Sequence, residues 1–204
     1  MRVRTRELHR IAEHSGVIRE LLCGTATLRE HAHLLRCLLP VYQHMEQFLA
    51  MHANSPEFSK LADPALHRSR FMISDLRYLV GEDWHSELSI LPIAGRYAKR
   101  VADLAVSDPA LLVGHIYARY LGDLSGGPIL KRVLRRSLDL PDRALSFYEF
   151  PAISDLEKFR SSYIQAIRDL TEDWPLIDRI AQEAEKAFQF NIDLSEDLLS
   201  FSRD

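Results

Sequence analysis

Two groups of residues in this chain of 204 have the types and spacing of a chemical site. Arg2, Arg6, His9 and Glu13 fall at i, i+4, i+7 and i+11, which is one face of a helix. Two cations, an imidazole and a carboxylate in a row make either a solvated stripe or the wall of a site in which the imidazole ligates and the cations hold acidic groups. The second group is Tyr117-Ala118-Arg119-Tyr120-Leu121-Gly122-Asp123-Leu124-Ser125-Gly126-Gly127. Four of the chain's eight glycines, Gly114, Gly122, Gly126 and Gly127, lie within fourteen consecutive residues, and each costs a helix about 1 kcal/mol relative to alanine. Gly122, Asp123, Gly126 and Gly127 would form a nearly side-chain-free strip bearing one carboxylate, suited to a bend or to a flat ligand lying against the backbone.

The run from Tyr117 to Gly127 resembles the distal-helix signature of the biliverdin-producing haem oxygenases. Thr5-Arg6-Glu7-Leu8-His9, Leu66-His67-Arg68, Phe147 to Pro151 and Ala184 to Asn191 resemble further segments of that family, in the family's order. The resemblance implies haem held between a proximal N-terminal helix and a glycine-kinked distal helix. It implies His9 as the iron's axial ligand, with Glu13 accepting the second N–H of the imidazole. Arg2, Arg6, Tyr117 and Arg160 would neighbour the propionates, and Phe188 would be an aromatic wall or ordinary core. On the other face, Gly122, Gly126 and Gly127 would present backbone and ordered water in place of a side-chain acid, directing oxygen onto the ring. Asp123 would be the catalytic aspartate that holds the water chain, supported by Tyr42 and Arg119, although Arg119 and Asp123 also fit a plain i,i+4 ion pair.

The implied reaction opens haem b, both substrate and cofactor, to biliverdin, carbon monoxide and ferrous iron, using O2 and electrons from an external reductase or ferredoxin. Lys131, Arg132, Arg135 and Arg136 form a basic patch, either a solvated face or a dock for an acidic donor. Two departures from the family stand out. Ile164 occupies the place of a propionate-binding arginine, with Arg168 one turn on, and Pro40 replaces a non-proline residue.

Composition narrows the alternatives. A net charge of −3 is unlike the strongly basic balance of nucleic-acid binders. No apolar run has the length of a membrane span, and neither terminus reads as a signal peptide or an anchor. Cys23 and Cys37 lack CxxC spacing, which predicts reduced thiols and a cytoplasmic protein.

The elements that must position these residues read as an all-α fold of seven to nine helices in one domain over residues 1–204. A first helix is expected over Arg2 to Leu22. A second starts at the capping box Thr27 to Glu30 and runs to about Met51, kinked near Pro40. Ser55-Pro56 and Asp63-Pro64 are expected to open helices, the latter reaching Val80. Further helices cover Ile90 to Val106 and Pro109 onward into the glycine strip, resuming from Ile129 to Ser137. Ser154 to Glu157 reads as a second capping box with a helix to about Leu170, and the last helix starts near Pro175.

Two rival functions fit an all-α chain. A ferritin-like di-iron protein needs paired Glu-x-x-His motifs, present as Glu30/His33 and Glu82/His85. A non-catalytic haem or bilin carrier would keep His9 but have no use for Asp123.

Overall fold

Apolar residues recur at helical spacing along most of the chain, and it folds accordingly. The computed structural model describes residues 2–203, and of Arg2 the backbone only, so the role expected of the Arg2 side chain lies outside the described residues. Among the described residues there are α-helices and short 3-10 turns and no strand: α1 Arg2–Glu13, α2 Gly16–Cys23, α3 Leu28–Met51, α4 Ser69–Val80, α5 Trp84–Glu87, α6 Pro92–Ser107, α7 Pro109–Ser137, α8 Leu156–Arg168 and α9 Trp174–Arg203.

Local chemistry explains where these helices start. The capping box at α3 is complete: Glu30 N–H donates to Thr27 Oγ1 at 3.2 Å and Thr27 N–H donates to Glu30 Oε2 at 2.7 Å. At α8 the cap is Asp155, which accepts from Lys158 N–H at 2.9 Å, one residue later than the pattern predicts. The expected helix from Pro64 to Val80 is divided into a 3-10 turn, Pro64–Leu66, and α4. Glu46 of α3 draws the break, because its carboxylate accepts the backbone N–H groups of both Arg68 and Ser69. The buried Arg68 guanidinium then ties the Ala65 and Leu66 carbonyls, at 2.9 and 3.1 Å, between the rings of Phe71 and Phe150. Ser55-Pro56 opens no helix; Ser55 Oγ accepts from Phe58 N–H within a run of turns.

The expected first helix is also divided, at His14 and Ser15. Gly16 has φ +45°, and a Cβ there would lie 2.1 Å from the Ser195 carbonyl oxygen of α9. Ser195 fastens the corner, donating to the Ser15 carbonyl at 2.8 Å while accepting from Ile18 N–H at 2.9 Å. Helix α7, in contrast, is continuous from Pro109 to Ser137 through all of its glycines, where an interruption was expected. Its Gly114 does not belong to the strip: it faces α9, where a Cβ would lie 2.7 Å from Ala184 N. Helix α9 is therefore approached at backbone distance twice, by the α1–α2 corner and by α7, and it packs on α1, α2, α6 and α7.

This packing makes the glycines of the chain inequivalent. Gly114→Ala should overpack the α7–α9 seam and destabilise the protein by about 1–3 kcal/mol. Gly95→Ala, on exposed α6 surface with nothing within 4 Å, should stabilise by up to about 1 kcal/mol. Denaturant midpoints of the two variants measured side by side check this, and equal shifts would contradict it.

Candidate active site

Helices α1, α7 and α8 enclose a cleft of about 680 Å³, closed at one side by Phe188 of α9. Arg6 and His9 line it from α1; Tyr117, Leu121, Gly122 and Ser125 from α7; Arg160, Ile164, Ile167 and Arg168 from α8. A smaller cavity of about 130 Å³ shares His9, Gly122 and Phe188 with it and reaches inward to Glu13, Arg119 and Asn191. Of the residues singled out in the sequence, Arg6, His9, Tyr117, Gly122, Arg160 and Phe188 thus meet at the main cleft, and Glu13 and Arg119 at its inner extension.

His9 is half exposed, its ring standing edge-on to Phe188 at 5.7 Å. Its Nδ1 lies 3.6 Å from Glu13 Oε1, so one turn of α1 brings the carboxylate beside that nitrogen. Among the α7 residues of the lining, Gly122 alone has no side chain. Among the described residues, no atom beyond its chain neighbours and its own helix backbone lies within 4 Å of where a Gly122 Cβ would be. Gly126 has the same open space but lies outside the lining of both cavities. Gly127 turns away from the cleft, with the Tyr148 carbonyl oxygen 3.7 Å from its Cβ position.

Asp123 also points away from the main cleft, into a buried network. Tyr42 Oη donates to Asp123 Oδ2 at 2.5 Å. Arg119 donates through Nε and Nη2 to Tyr42 Oη, at 3.0 and 2.7 Å, through Nη1 to Asn191 Oδ1 at 2.6 Å, and more weakly to Asp123 Oδ1 at 3.4 Å. The i,i+4 ion pair expected of Arg119 and Asp123 is thus the weakest link in a larger arrangement. Burial raises the Asp123 carboxyl above its ordinary value, against the pull of Arg119 and Tyr42. Burial likewise pushes the Tyr42 phenol well up, so it keeps the proton it donates. For Arg119, burial opposes the charge, but Tyr42 and Asp123 more than offset it.

Asn191 is the member of this network that sequence reading passed over. It stands three residues after Phe188 on α9, a spacing that places both on the side facing α7. A second buried cluster lies one turn away on α7 and two turns away on α9. Glu183 accepts from Arg100 at 2.8 and 2.7 Å and from Lys186 at 3.0 Å, with His115 Nε2 at 3.1 Å. The residues of the two Glu-x-x-His pairs serve local structure instead: Glu30 caps α3, His33 Nε2 contacts the Ser89 carbonyl at 2.7 Å, and Glu82 pairs with Arg77 at 3.2 Å.

Comparison with known proteins gives one consistent result. The family model described as "Heme oxygenase" matches residues 1–197. "Heme oxygenase 1" of Synechocystis sp. is 36% identical over 198 residues, 97% of this chain and 82% of the relative. The human protein of the same name is 34% identical over 95% of this chain and 68% of its own length. Among solved structures, the Synechocystis heme oxygenase-1 in complex with heme superposes with a TM-score of 0.92, covering 98% of this chain and 90% of that one at 36% identity.

The Glu183 cluster makes stability sensitive to acid. Burial would raise the Glu183 carboxyl, yet His115, Arg100 and Lys186 hold it below its ordinary 4.5, and burial depresses His115 below 6.5. In both cases the unfolded chain binds more protons, so their contribution is present above the unfolded values and is lost as pH falls, first through His115 and then through Glu183. Glu183→Gln should be less stable at neutral pH but show a shallower loss below pH 4.5. Thermal melts across pH 3–7 check it; parallel curves would contradict the assignment.

Proposed function

The chain belongs to the haem oxygenase family and is an enzyme of haem degradation, and from that premise we propose that haem b binds in the α1–α7–α8 cleft and is opened there to biliverdin, carbon monoxide and ferrous iron. The observation that carries the reading is that His9 of α1 and the side-chain-free Gly122 of α7 line one cleft. The rest of the lining fits the same ligand. Arg6, Arg160 and Arg168 contribute three guanidiniums and, among the described residues, no carboxylate lines the cleft, in a protein of net charge −3, which suits a dianion. Leu121, Ile164, Ile167 and Phe188 supply apolar surface for a flat macrocycle.

When bound, haem supplies both the iron at which O2 is reduced and the ring that is oxidised. His9 would hold the iron through Nε2, with Glu13 orienting the imidazole from the Nδ1 side. Arg6, Tyr117 and Arg160 would receive the propionates. Gly122 would let the α7 backbone approach the ligand closely. Behind it, Tyr42 holds its proton on Oη and gives the hydrogen bond to Asp123 Oδ2, which fixes the carboxylate. The 3.4 Å contact leaves Asp123 Oδ1 acceptor capacity to order water beside the strip.

Electrons come from an external reductase or ferredoxin in this reading. Lys131 is an unsuitable contact for it, being tied to Glu149 and, at 3.0 Å, to Asp142. The exposed Arg132 and Arg136 carry the docking role instead. No described helix is long and apolar enough to cross a membrane, and the thiols Cys23 and Cys37 are unpaired, in keeping with a cytoplasmic setting.

Incubating the protein with hemin and adding a reductant under air tests the reading: a haem spectrum that decays to biliverdin supports it, and a stable one would leave a carrier. His9→Ala should bind hemin more loosely, with a shifted Soret band and turnover partly restored by imidazole. Asp123→Ala should bind hemin nearly normally, make less biliverdin and oxidise an added phenol with peroxide. A wild-type Soret and rate in the first variant, or wild-type biliverdin yield without phenol oxidation in the second, would contradict these roles.

A further inference from the structure

The buried tyrosines of this chain, Tyr42, Tyr97, Tyr120, Tyr148 and Tyr163, differ in what stands at the phenol. Tyr163 Oη donates at 3.2 Å to the Leu61 carbonyl, which takes no proton. Among the described residues Tyr97 Oη and Tyr120 Oη have no hydrogen-bond partner. Tyr148 Oη lies 3.4 Å from Nδ1 of His31, a fully buried imidazole that stacks on the Tyr148 ring at 5.8 Å. Burial lowers His31 to about 4, so its ring is neutral near neutral pH and, with its hydrogen on Nε2, offers Nδ1 as an acceptor. Burial also pushes the Tyr148 phenol well above its ordinary value, so it does not ionise unaided.

Neither residue lines the cleft, yet aromatic contacts join the pair to it. Tyr148 packs on Phe147 at 4.9 Å, Phe147 stands edge-on to Tyr42 at 5.6 Å, and Tyr42 donates to Asp123. The turn is pinned by Asp75, which accepts from Ser146 N–H and Phe147 N–H at 3.0 and 2.8 Å. Tyr42 itself is a poor place for an electron deficit. Arg119 donates twice to its Oη and holds its guanidinium 5.2 Å from the ring centre, so positive charge already faces that phenol.

Resting on the haem reading above, we propose that Tyr148 and His31 form a redox-active pair, a second site that gives one electron to bound haem when a peroxide reacts there. Cleavage of the peroxide O–O bond takes up two electrons; one oxygen leaves as water with both peroxide protons, and the other remains with the haem. The iron gives one electron. Tyr148 gives the other through Phe147 and Tyr42, its O–H bond breaks, and the proton moves to His31 Nδ1. The products on the protein are a neutral tyrosyl radical and an imidazolium. One electron from the external donor, with the same proton returning from His31, restores the phenol. The proton acceptor decides the location, because an oxidised phenol is a strong acid. Of the buried tyrosines, Tyr148 is the one with a neutral base at its oxygen.

The competing role for the two rings is plain core packing. Hydrogen peroxide added to the ferric hemin complex without O2 or reductant, then frozen for electron paramagnetic resonance, separates the two. The unmodified protein should show an organic radical whose spectrum narrows when the protein is made with ring-deuterated tyrosine. Tyr148→Phe should lose most of that signal while the haem optical spectrum, the melting temperature and the biliverdin yield from O2 and reductant stay unchanged. His31→Phe, which keeps an aromatic ring but removes the acceptor, should lose the signal likewise with Tyr148 in place. A full-strength signal in either variant, or one that disappears only in Tyr42→Phe or Tyr120→Phe, would overturn the pair. Bound hemin with no tyrosyl signal in the unmodified protein would overturn it too, while leaving the haem reading intact. Failure of the unmodified protein to bind hemin would remove that reading and the pair with it.

Discussion

Backbone contact with α9 is the constraint on which the rest of the structure depends. Gly16 meets α9 at Ser195 and Gly114 meets it at Ala184, and in each case a methyl group would overlap main-chain atoms. Those two points are eleven residues apart, about 16 Å along the helix. Between them α9 presents Ala187, Phe188 and Asn191. The first contact fixes the corner from which α1 departs and so where His9 stands. The second fixes the register of α7 and so where Gly122 and Arg119 stand. The two walls of the cleft are set against each other through a common third helix.

Polar layers repeat along the same seam and reinforce that register. His115 and Arg119 are one turn apart on α7, and Glu183 and Asn191 are two turns apart on α9; each α7 residue finds its α9 partner, at 3.1 and 2.6 Å. Sliding the helices by one turn would break both layers and leave buried polar groups unpaired, at a cost of about 1–3 kcal/mol each. The register therefore also holds the buried network. Arg119 is at once a seam residue, through Asn191, and the support of Tyr42 and Asp123. A change in helix packing reaches the carboxylate behind the glycine strip through this one guanidinium.

How much of this was legible in the sequence varied with the kind of signal. The helical class, the cap at Thr27 and the proximity of His9 to Glu13 are local properties, written in spacing, and the structure has them. The glycine concentration marked α7, but composition could not assign the individual glycines. Gly114 serves α9, Gly122 faces the cleft and Gly127 faces Tyr148; only the rotation of the folded helix separates them. Gly16 carried no signal, because its necessity lies in Ser195, far along the chain. The break before α4 was hidden for the same reason, being drawn by Glu46. Asn191 had no role in the sequence reading, because its partner Arg119 comes from another helix.

The account comes down to whether the contact at Gly16 places the α1 imidazole over the cleft. The optical spectrum of ferric haem bound to Gly16→Ala tests it most directly, with circular dichroism confirming that the helices remain. Displacement of α1 by the added methyl group should carry His9 away from the iron, giving a blue-shifted Soret band and weaker binding at unchanged helix content. A Soret position and affinity equal to those of the unmodified protein would contradict the claim that close approach to α9 sets the site.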